Sequence, residues 1–182
     1  MKAAFVAGAL CAALLAGRAN AVELAANPAM IRGCITAAAE VHRLPTAVLV
    51  ILLDVEDGRL GHVNENTNGT VDIGPMQVNT VNLPAIAAHW HATIGDTYEA
   101  LRDDFCANVE AGAWLLRRCL DATDGHFWEG VGDYHSDTPQ YRTRYLWQVL
   151  QEVLRLRALV ASGAAPPRSP ARQAAAVPPA GG

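Results

Sequence analysis

The chain has almost no lysine: Lys2 is the single one, and every other basic residue is an arginine. The formal net charge is −4 at pH 7, and no segment carries a basic stripe. Proteins that bind nucleic acid neutralise phosphates with clustered cations. This charge pattern therefore argues against nucleic acid as a partner.

Motifs of metal, phosphate and serine-nucleophile chemistry are also missing. The sequence has no HExxH pair, and its cysteines lack zinc-ligand spacing. His89 and His91 are two residues apart on a predicted helix, where side chains do not face each other. Neither a Gly-rich phosphate loop nor a nucleophile elbow occurs. We therefore expect neither a metal nor a cofactor.

One long apolar run is present, at residues 3–16, between a basic start and a small-residue cleavage sequence at 19–21. These features are typical of a secretory signal peptide over residues 1–21, the alternative being an uncleaved anchor. No later segment is long and apolar enough to span a bilayer. We expect a periplasmic or secreted protein with no stable membrane span after signal cleavage.

The remaining chain divides into a domain at residues 22–157 and a tail at 158–182. The tail is rich in alanine and proline without apolar periodicity, which predicts disorder. The domain is predicted to be mainly α (α+β), with helices around a buried central helix. Asn68 and Gly69 favour a tight turn, which indicates a small β-hairpin excursion.

Helical spacing predicts helices at about 28–42 and 45–56, with Pro45 at the first helical position and the second helix buried on most sides. Short helices are expected near 75–80 and 83–91, then a long one capped by Asp103 or Asp104. Small Gly112 on that helix lets another helix approach closely. The last long helix opens at Pro139. Its inward residues are predicted to be Tyr145, Val149, Leu150, Val153 and Leu154.

Three cysteines follow the predicted signal peptide: Cys34, Cys106 and Cys119. Cys106 and Cys119 share one predicted helix, about 20 Å apart, so they cannot bridge. Export favours one disulfide, which must then use Cys34. We favour Cys34–Cys106, and the alternative is three reduced cysteines that serve packing.

Glu56 closes an almost wholly apolar stretch at residues 43–56. Burial and the negative end of a helix dipole both disfavour an ionised carboxyl, so the pKa should rise. Such a group can donate a proton near neutral pH. Gly58 lets the chain turn away and leaves the carboxyl open to a ligand. The alternative is an ordinary residue at a helix end.

Four ordered blocks of sequence resemble the lytic transglycosylases of the soluble-lytic-transglycosylase type, above all the small members attached to conjugation, type IV secretion and pilus systems. The resemblance covers about residues 32–150. The blocks contain Val55, Glu56, Asp57 and Gly58; Asn66, Asn68, Gly69, Thr70, Asp72, Ile73, Gly74, Pro75, Met76, Gln77, Val78 and Asn79; Asp104, Cys106, Asn108, Val109, Gly112, Ala113 and Trp114; and Tyr134, His135 and Ser136.

The resemblance implies a lysozyme-like fold, Glu56 as the catalytic acid, and a glycan cleft with a nearby tyrosine. His135 and Asp57 stand where the family usually has asparagine and serine. The predicted substrate-binding residues are Gly74, Met76, Gln77, Asn79, Tyr134 and His135. Met76 is expected to offer an apolar contact and Gln77 a hydrogen bond.

The implied substrate is the glycan strand of peptidoglycan, cut at the β-1,4 bond between N-acetylmuramic acid and N-acetylglucosamine with a 1,6-anhydro end. One alternative is a hydrolase in which Asp72 is a second carboxylate beside Glu56. Another is a non-catalytic glycan-binding assembly subunit. By analogy, the tail is a candidate for recruitment by subunits of a secretion or conjugation apparatus.

Overall fold

The computed structural model of the protein describes residues 27–163. The predicted signal peptide, residues 1–21, lies outside the described residues. The tail predicted at 158–182 begins too early, because residues 158–162 continue the last helix; its remainder from residue 164 onward lies outside the described residues. The fold is mainly helical with one small antiparallel sheet, which confirms the predicted class. Its elements, in chain order, are α1 Pro28–Val41, α2 Thr46–Glu56, β1 Val63–Glu65, β2 Val71–Ile73, β3 Val78–Asn79, a 3-10 helix Thr80–Asn82, α3 Leu83–Trp90, α4 Ile94–Asp103, α5 Phe105–Ala122, α6 Phe127–His135 and α7 Pro139–Ser162.

Short polar side chains define where several helices begin. The carboxylate of Asp104 accepts hydrogen bonds from the amides of Cys106 and Ala107 at 2.8 and 3.1 Å, so Asp104 rather than Asp103 caps α5. The Asn27 side chain caps α1 in the same way. Pro45 is the N-cap residue of α2 rather than its first helical residue, so the helix begins one residue later than predicted.

The buried central helix is α5, not α2. Most of the inward side chains of α5 are wholly buried, among them Val109 and Leu116 at 0% exposure. On α2 only Leu49 and Leu52 reach that depth. Helix α2 packs against α1 on one side and α7 on another, so its remaining apolar side chains are only partly covered.

The predicted β-excursion is a three-stranded antiparallel sheet in the order β1-β2-β3. The turn between β1 and β2 includes Asn68 and Gly69, with Gly69 at φ 81°. The prediction of a short helix near 75–80 is wrong. Residues 74–77 form a turn with Gln77 at φ 47°, and β3 then pairs with β2. A left-handed backbone at Gln77 ends any helical path and redirects the chain into the sheet.

Helix α7 is less buried than its sequence suggested. Tyr145 and Val149 face the core, but Leu150 and Leu154 are 40% and 48% exposed. Within residues 27–163, α7 packs mainly against α2 and α6, and Leu150 and Leu154 stay exposed outside those contacts. Gly112 likewise has a different role from the predicted one, because a Cβ there would meet the Met76 side chain at 2.7 Å rather than another helix.

A disulfide joins Cys34 of α1 to Cys106 of α5, with a Cα–Cα distance of 5.0 Å. This pairing is the predicted one. Cys119, on the same helix as Cys106, is a free and half-buried thiol. The bridge fixes the first helix against the central helix and closes a loop of 72 residues. Within residues 27–163 no single helix could cross a membrane by length and apolarity; α1 and α2 meet that test only together, bent by 120°.

Candidate active site

Glu56 is the last residue of α2, and the backbone turns sharply after it. Asp57 takes the left-handed conformation, at φ 47°. Gly58 is buried, and a Cβ at this position would lie 2.0 Å from the carbonyl oxygen of Gly74. Gly58 is therefore required for close approach to the turn at 74–77, whereas the change of direction predicted for it belongs to Asp57.

Glu56 is only partly exposed. The hydroxyl of Tyr145 donates a hydrogen bond of 2.6 Å to its Oε1 atom. Burial raises the pKa of Glu56 from 4.5 to about 7; the Tyr145 hydrogen bond lowers it, and the charge of Asp72 adds to the rise. Near neutral pH this carboxyl can therefore both hold and release a proton.

Tyr145 is the functional residue that sequence reasoning placed only in the core. It is 1% exposed, and its ring stacks on His135 at 4.6 Å between centroids. A buried tyrosine hydroxyl normally finds a hydrogen-bond partner. That general rule was the one available signal, but it does not identify Glu56, 89 residues earlier in the chain.

Tyr134, predicted to lie near Glu56, is on the last turn of α6. Its hydroxyl donates to the backbone carbonyl of Met76 at 2.8 Å. Burial raises the pKa of Tyr134 well above its usual value, and the charge of Glu56 adds to that rise. Tyr134 thus lies within the electrostatic reach of Glu56, but its hydrogen bond holds the turn at 74–77.

Asn108, a fully buried residue of α5, holds the turn at 74–77 by hydrogen bonds from the core side. Asn108 donates to the carbonyls of Ile73 and Leu101 at 2.9 and 2.8 Å and accepts from the amide of Met76 at 2.7 Å. Gly74 is needed here because its φ is +67° and a Cβ would meet the Asn108 amide at 2.4 Å. The sequence blocks contain Asn108, but no role was assigned to it.

Met76 and Gln77, both predicted to contact the glycan, differ from each other in burial. Met76 is fully buried, with its side chain packed over Gly112, so the predicted glycan contact does not fit its position. Gln77 is half-buried. Its amide nitrogen donates to the carbonyl of Gly74 at 2.8 Å, and its oxygen accepts from Asn64 at 2.5 Å. The polar groups of Gln77 and Asn64 therefore form one surface beside the turn.

Asp72 is held within the sheet by two asparagine side chains. Asn66 donates to Oδ2 at 2.8 Å, and Asn79 donates to Oδ1 at 2.7 Å. Asn79 also donates to the Thr70 hydroxyl at 3.0 Å. Asp72 is close enough for its charge to raise the pKa of Glu56. The predicted site residues Asp72 and Asn79 are thus joined to each other.

His135 is exposed on one side and stacks on Tyr145 on the other. Partial burial lowers its pKa, although the charge of Asp72 opposes this effect. The lowered pKa favours the neutral imidazole, which can offer one hydrogen-bond donor and one acceptor to a polar ligand. Among residues 27–163, no group of three or more His, Cys, Asp or Glu side chains could hold a metal ion.

Known proteins provide distant relatives. The chain is 28% identical to Protein IpgF of Shigella flexneri over 130 residues, which is 69% of this chain and 82% of that protein. It is 27% identical to Invasion protein IagB of Salmonella typhimurium over 111 residues, which is 59% of this chain and 64% of that protein. No family model matches the chain.

Proposed function

We propose that this protein is a peptidoglycan lytic transglycosylase that cuts the β-1,4 bond between N-acetylmuramic acid and N-acetylglucosamine. The observation that carries the proposal is the covered carboxyl of Glu56, whose pKa is raised to about 7 beside the polar turn and sheet. The resemblance of the four sequence blocks to lytic transglycosylases supports the same conclusion. The relatives IpgF and IagB agree with it only as distant similarities.

In the proposed reaction, Glu56 acts first as an acid and then as a base. Tyr145 donates to Oε1, which leaves the other carboxyl oxygen to carry the proton that we assign to the leaving glycosidic oxygen. As that bond breaks, the substrate's own 2-acetamido group stabilises the positive anomeric carbon. The ionised Glu56 keeps the Tyr145 hydrogen bond, which stabilises its charge. It then takes the proton of the C6 hydroxyl, which closes onto C1 as the 1,6-anhydro end.

The neighbouring residues divide between substrate binding and support. Gln77 and His135 carry polar groups that we assign to the sugar hydroxyls and acetamides. Asn79 donates both of its amide hydrogens to Thr70 and Asp72, so only its oxygen is left for a sugar contact. Asn108 and Tyr134 hold the turn at 74–77 and so position Gln77. No protein nucleophile is required by this scheme.

The alternative is a hydrolase in which Asp72 is a second carboxylate beside Glu56. The observation in its favour is that Asp72 is close enough for its charge to raise the pKa of Glu56. The two oxygens of Asp72 already accept hydrogen bonds from Asn66 and Asn79. This arrangement suits an electrostatic neighbour better than a freely approaching base or nucleophile. Mass analysis of the muropeptide products decides between the two reactions, because water attack leaves a reducing end and C6 attack leaves an anhydro end.

The direct test is Glu56→Gln, which keeps the shape and the Tyr145 contact but has no acid. We expect wall clearing to fall by at least about a hundredfold, the usual scale for losing a general acid. The matched control is Glu99→Gln, at an exposed position of α4, which should clear walls like the parent. Clearing by the Glu56 variant equal to that of the parent would mean that Glu56 is not the catalyst, whereas no clearing by the parent itself would favour a non-catalytic glycan-binding assembly subunit.

We also propose that the protein is exported and opens the wall locally for a secretion, conjugation or pilus apparatus. The resemblance to specialised transglycosylases and the word invasion in the name of IagB support this role. N-terminal sequencing of the mature protein tests cleavage after residue 21. Deletion of residues 164–182 tests recruitment through the tail: assembly should decrease while wall clearing by the purified enzyme persists.

A further inference from the structure

An open groove of about 970 Å³ runs between α2 and the flank of α7. Its lining includes Val55 of α2 and, along α7, Gln140, Arg144, Trp147, Gln148 and Gln151. We call it the α2–α7 groove. From Gln140 to Gln151 the helix rises about 16 Å, which is the length of an extended peptide of about five residues.

The α2–α7 groove begins beside the proposed acid. Val55 directly precedes Glu56 in the chain, and Arg144 directly precedes Tyr145, whose hydroxyl donates to Glu56. Neither Glu56 nor Tyr145 lines the groove itself, so the groove is a separate surface next to the proposed acid rather than part of its site. The groove shares none of its lining residues with the turn at 74–77 or with the sheet.

Arg144 gives the groove an uncompensated positive charge. It is exposed, and it forms no ion pair or hydrogen bond with any other residue in the part of the chain described. Arg155 and Glu152 line the far end of the groove, where they pair with each other and Arg155 also pairs with Asp54, so these charges compensate one another. A free guanidinium in a protein of formal charge −4 suits an anionic ligand.

The other lining groups fit a peptide. Three glutamine amides each offer donors and an acceptor, which match peptide N–H and C=O groups. The ring of Trp147 is 60% exposed and offers a flat apolar surface for small aliphatic side chains. Together these residues provide hydrogen bonds, one cation and one apolar platform along a single line.

We propose that the α2–α7 groove binds the acidic peptide stems carried by the glycan strand, with Arg144 paired to a stem carboxylate. The inference rests on the proposed function. The glycan backbone is neutral wherever a stem is attached, because the lactyl carboxyl is then in an amide bond. The anionic groups of the substrate are therefore on the peptide, and this favours a stem over a sugar as the partner of Arg144.

The test compares peptide-bearing glycan strands with strands stripped of their stems by an amidase. Binding is measured by calorimetry on the full mature chain carrying Glu56→Gln, so that cleavage does not intervene. Adding Arg144→Gln should weaken binding of peptide-bearing strands about three- to tenfold, the range for one exposed ion pair with hydrogen bonds. Arg144→Lys should retain much of the affinity, and added salt should reduce the difference.

The matched control is Arg157→Gln, an exposed arginine of α7 that is not part of the groove. It should leave both affinities unchanged, and the unfolding midpoint of each variant checks its fold. Equal binding of peptide-bearing strands with and without Arg144 would overturn the proposal. An equal loss on stripped strands would also overturn it, because a free lactyl carboxylate would then be the partner. Wall clearing by the Glu56→Gln protein separately decides the proposed function, so the two failures are distinguishable.

Discussion

The pKa of Glu56 implies a measurable loss of stability as the pH rises. In the unfolded chain this carboxyl titrates near 4.5, and in the folded protein near 7. Between these values the folded state keeps a proton that the unfolded state has released. Because the unfolded state binds fewer protons in this window, the free energy of unfolding decreases as the pH increases through it.

The size of the effect follows from the two pKa values. They differ by about 2.5, and each whole pKa step corresponds to about 1.4 kcal/mol, so the full loss is up to about 3 kcal/mol. Replacing Glu56 with Gln removes the titrating group while its amide oxygen still accepts from Tyr145. The variant should therefore gain up to about 3 kcal/mol relative to the parent between about pH 4 and about pH 8.5.

Urea unfolding of both proteins at a series of pH values measures this difference directly. The other titrating groups contribute equally to the free energy of unfolding of both proteins, so their contributions cancel in the difference. The exceptions are neighbours whose own pKa depends on the charge of Glu56. Glu99→Gln, on the exposed side of α4, controls for the loss of a negative charge in general. Parallel stability curves for the parent and the Glu56 variant would refute the argument, because Glu56 would then titrate alike in the folded and unfolded states.

Three further predictions concern particular contacts. Tyr145→Phe removes the hydrogen bond that lowers the pKa of Glu56, so the alkaline limb of the pH–rate profile should move to higher pH; an unmoved limb would contradict this role. Gly58→Ala should cost about 3 kcal/mol in urea unfolding because its Cβ meets a backbone carbonyl, whereas Gly33→Ala, in open space on α1, should gain about 0.5–1 kcal/mol. Reducing the disulfide that joins α1 to α5, a loop of 72 residues, should cost about 4 kcal/mol, while Cys119→Ser should leave the reduction effect unchanged.

Local sequence predicted much of the fold because helix ends and turns depend on neighbouring residues. The position of Glu56 at the end of α2 followed from an apolar run that stops before Asp57 and Gly58. The turn at Asn68 and Gly69 followed from their tolerance of left-handed backbone. Helix length excluded a bridge between Cys106 and Cys119, so Cys34 had to be one partner, and the favoured choice of Cys106 as the other is confirmed.

The errors arose where a residue's surroundings come from distant parts of the chain. Met76 looked like a ligand contact, but the absence of a side chain at Gly112 makes room to bury it. Leu150 and Leu154 looked inward, but within residues 27–163 their side chains remain 40% and 48% exposed. Helical periodicity identifies an apolar face and says nothing about whether a neighbour covers all of it.

By itself, the sequence determined that an acidic side chain ends an apolar helix and that a polar turn and sheet follow it. Tertiary structure alone decided which tyrosine meets that acid. Tyr134 holds the turn and Tyr145 donates to Glu56, although both are aromatic residues on neighbouring helices. The physical reason is distance: a hydrogen bond needs donor and acceptor within about 3 Å. Only the packing of α7 against α2 brings two residues so far apart in the chain within that range.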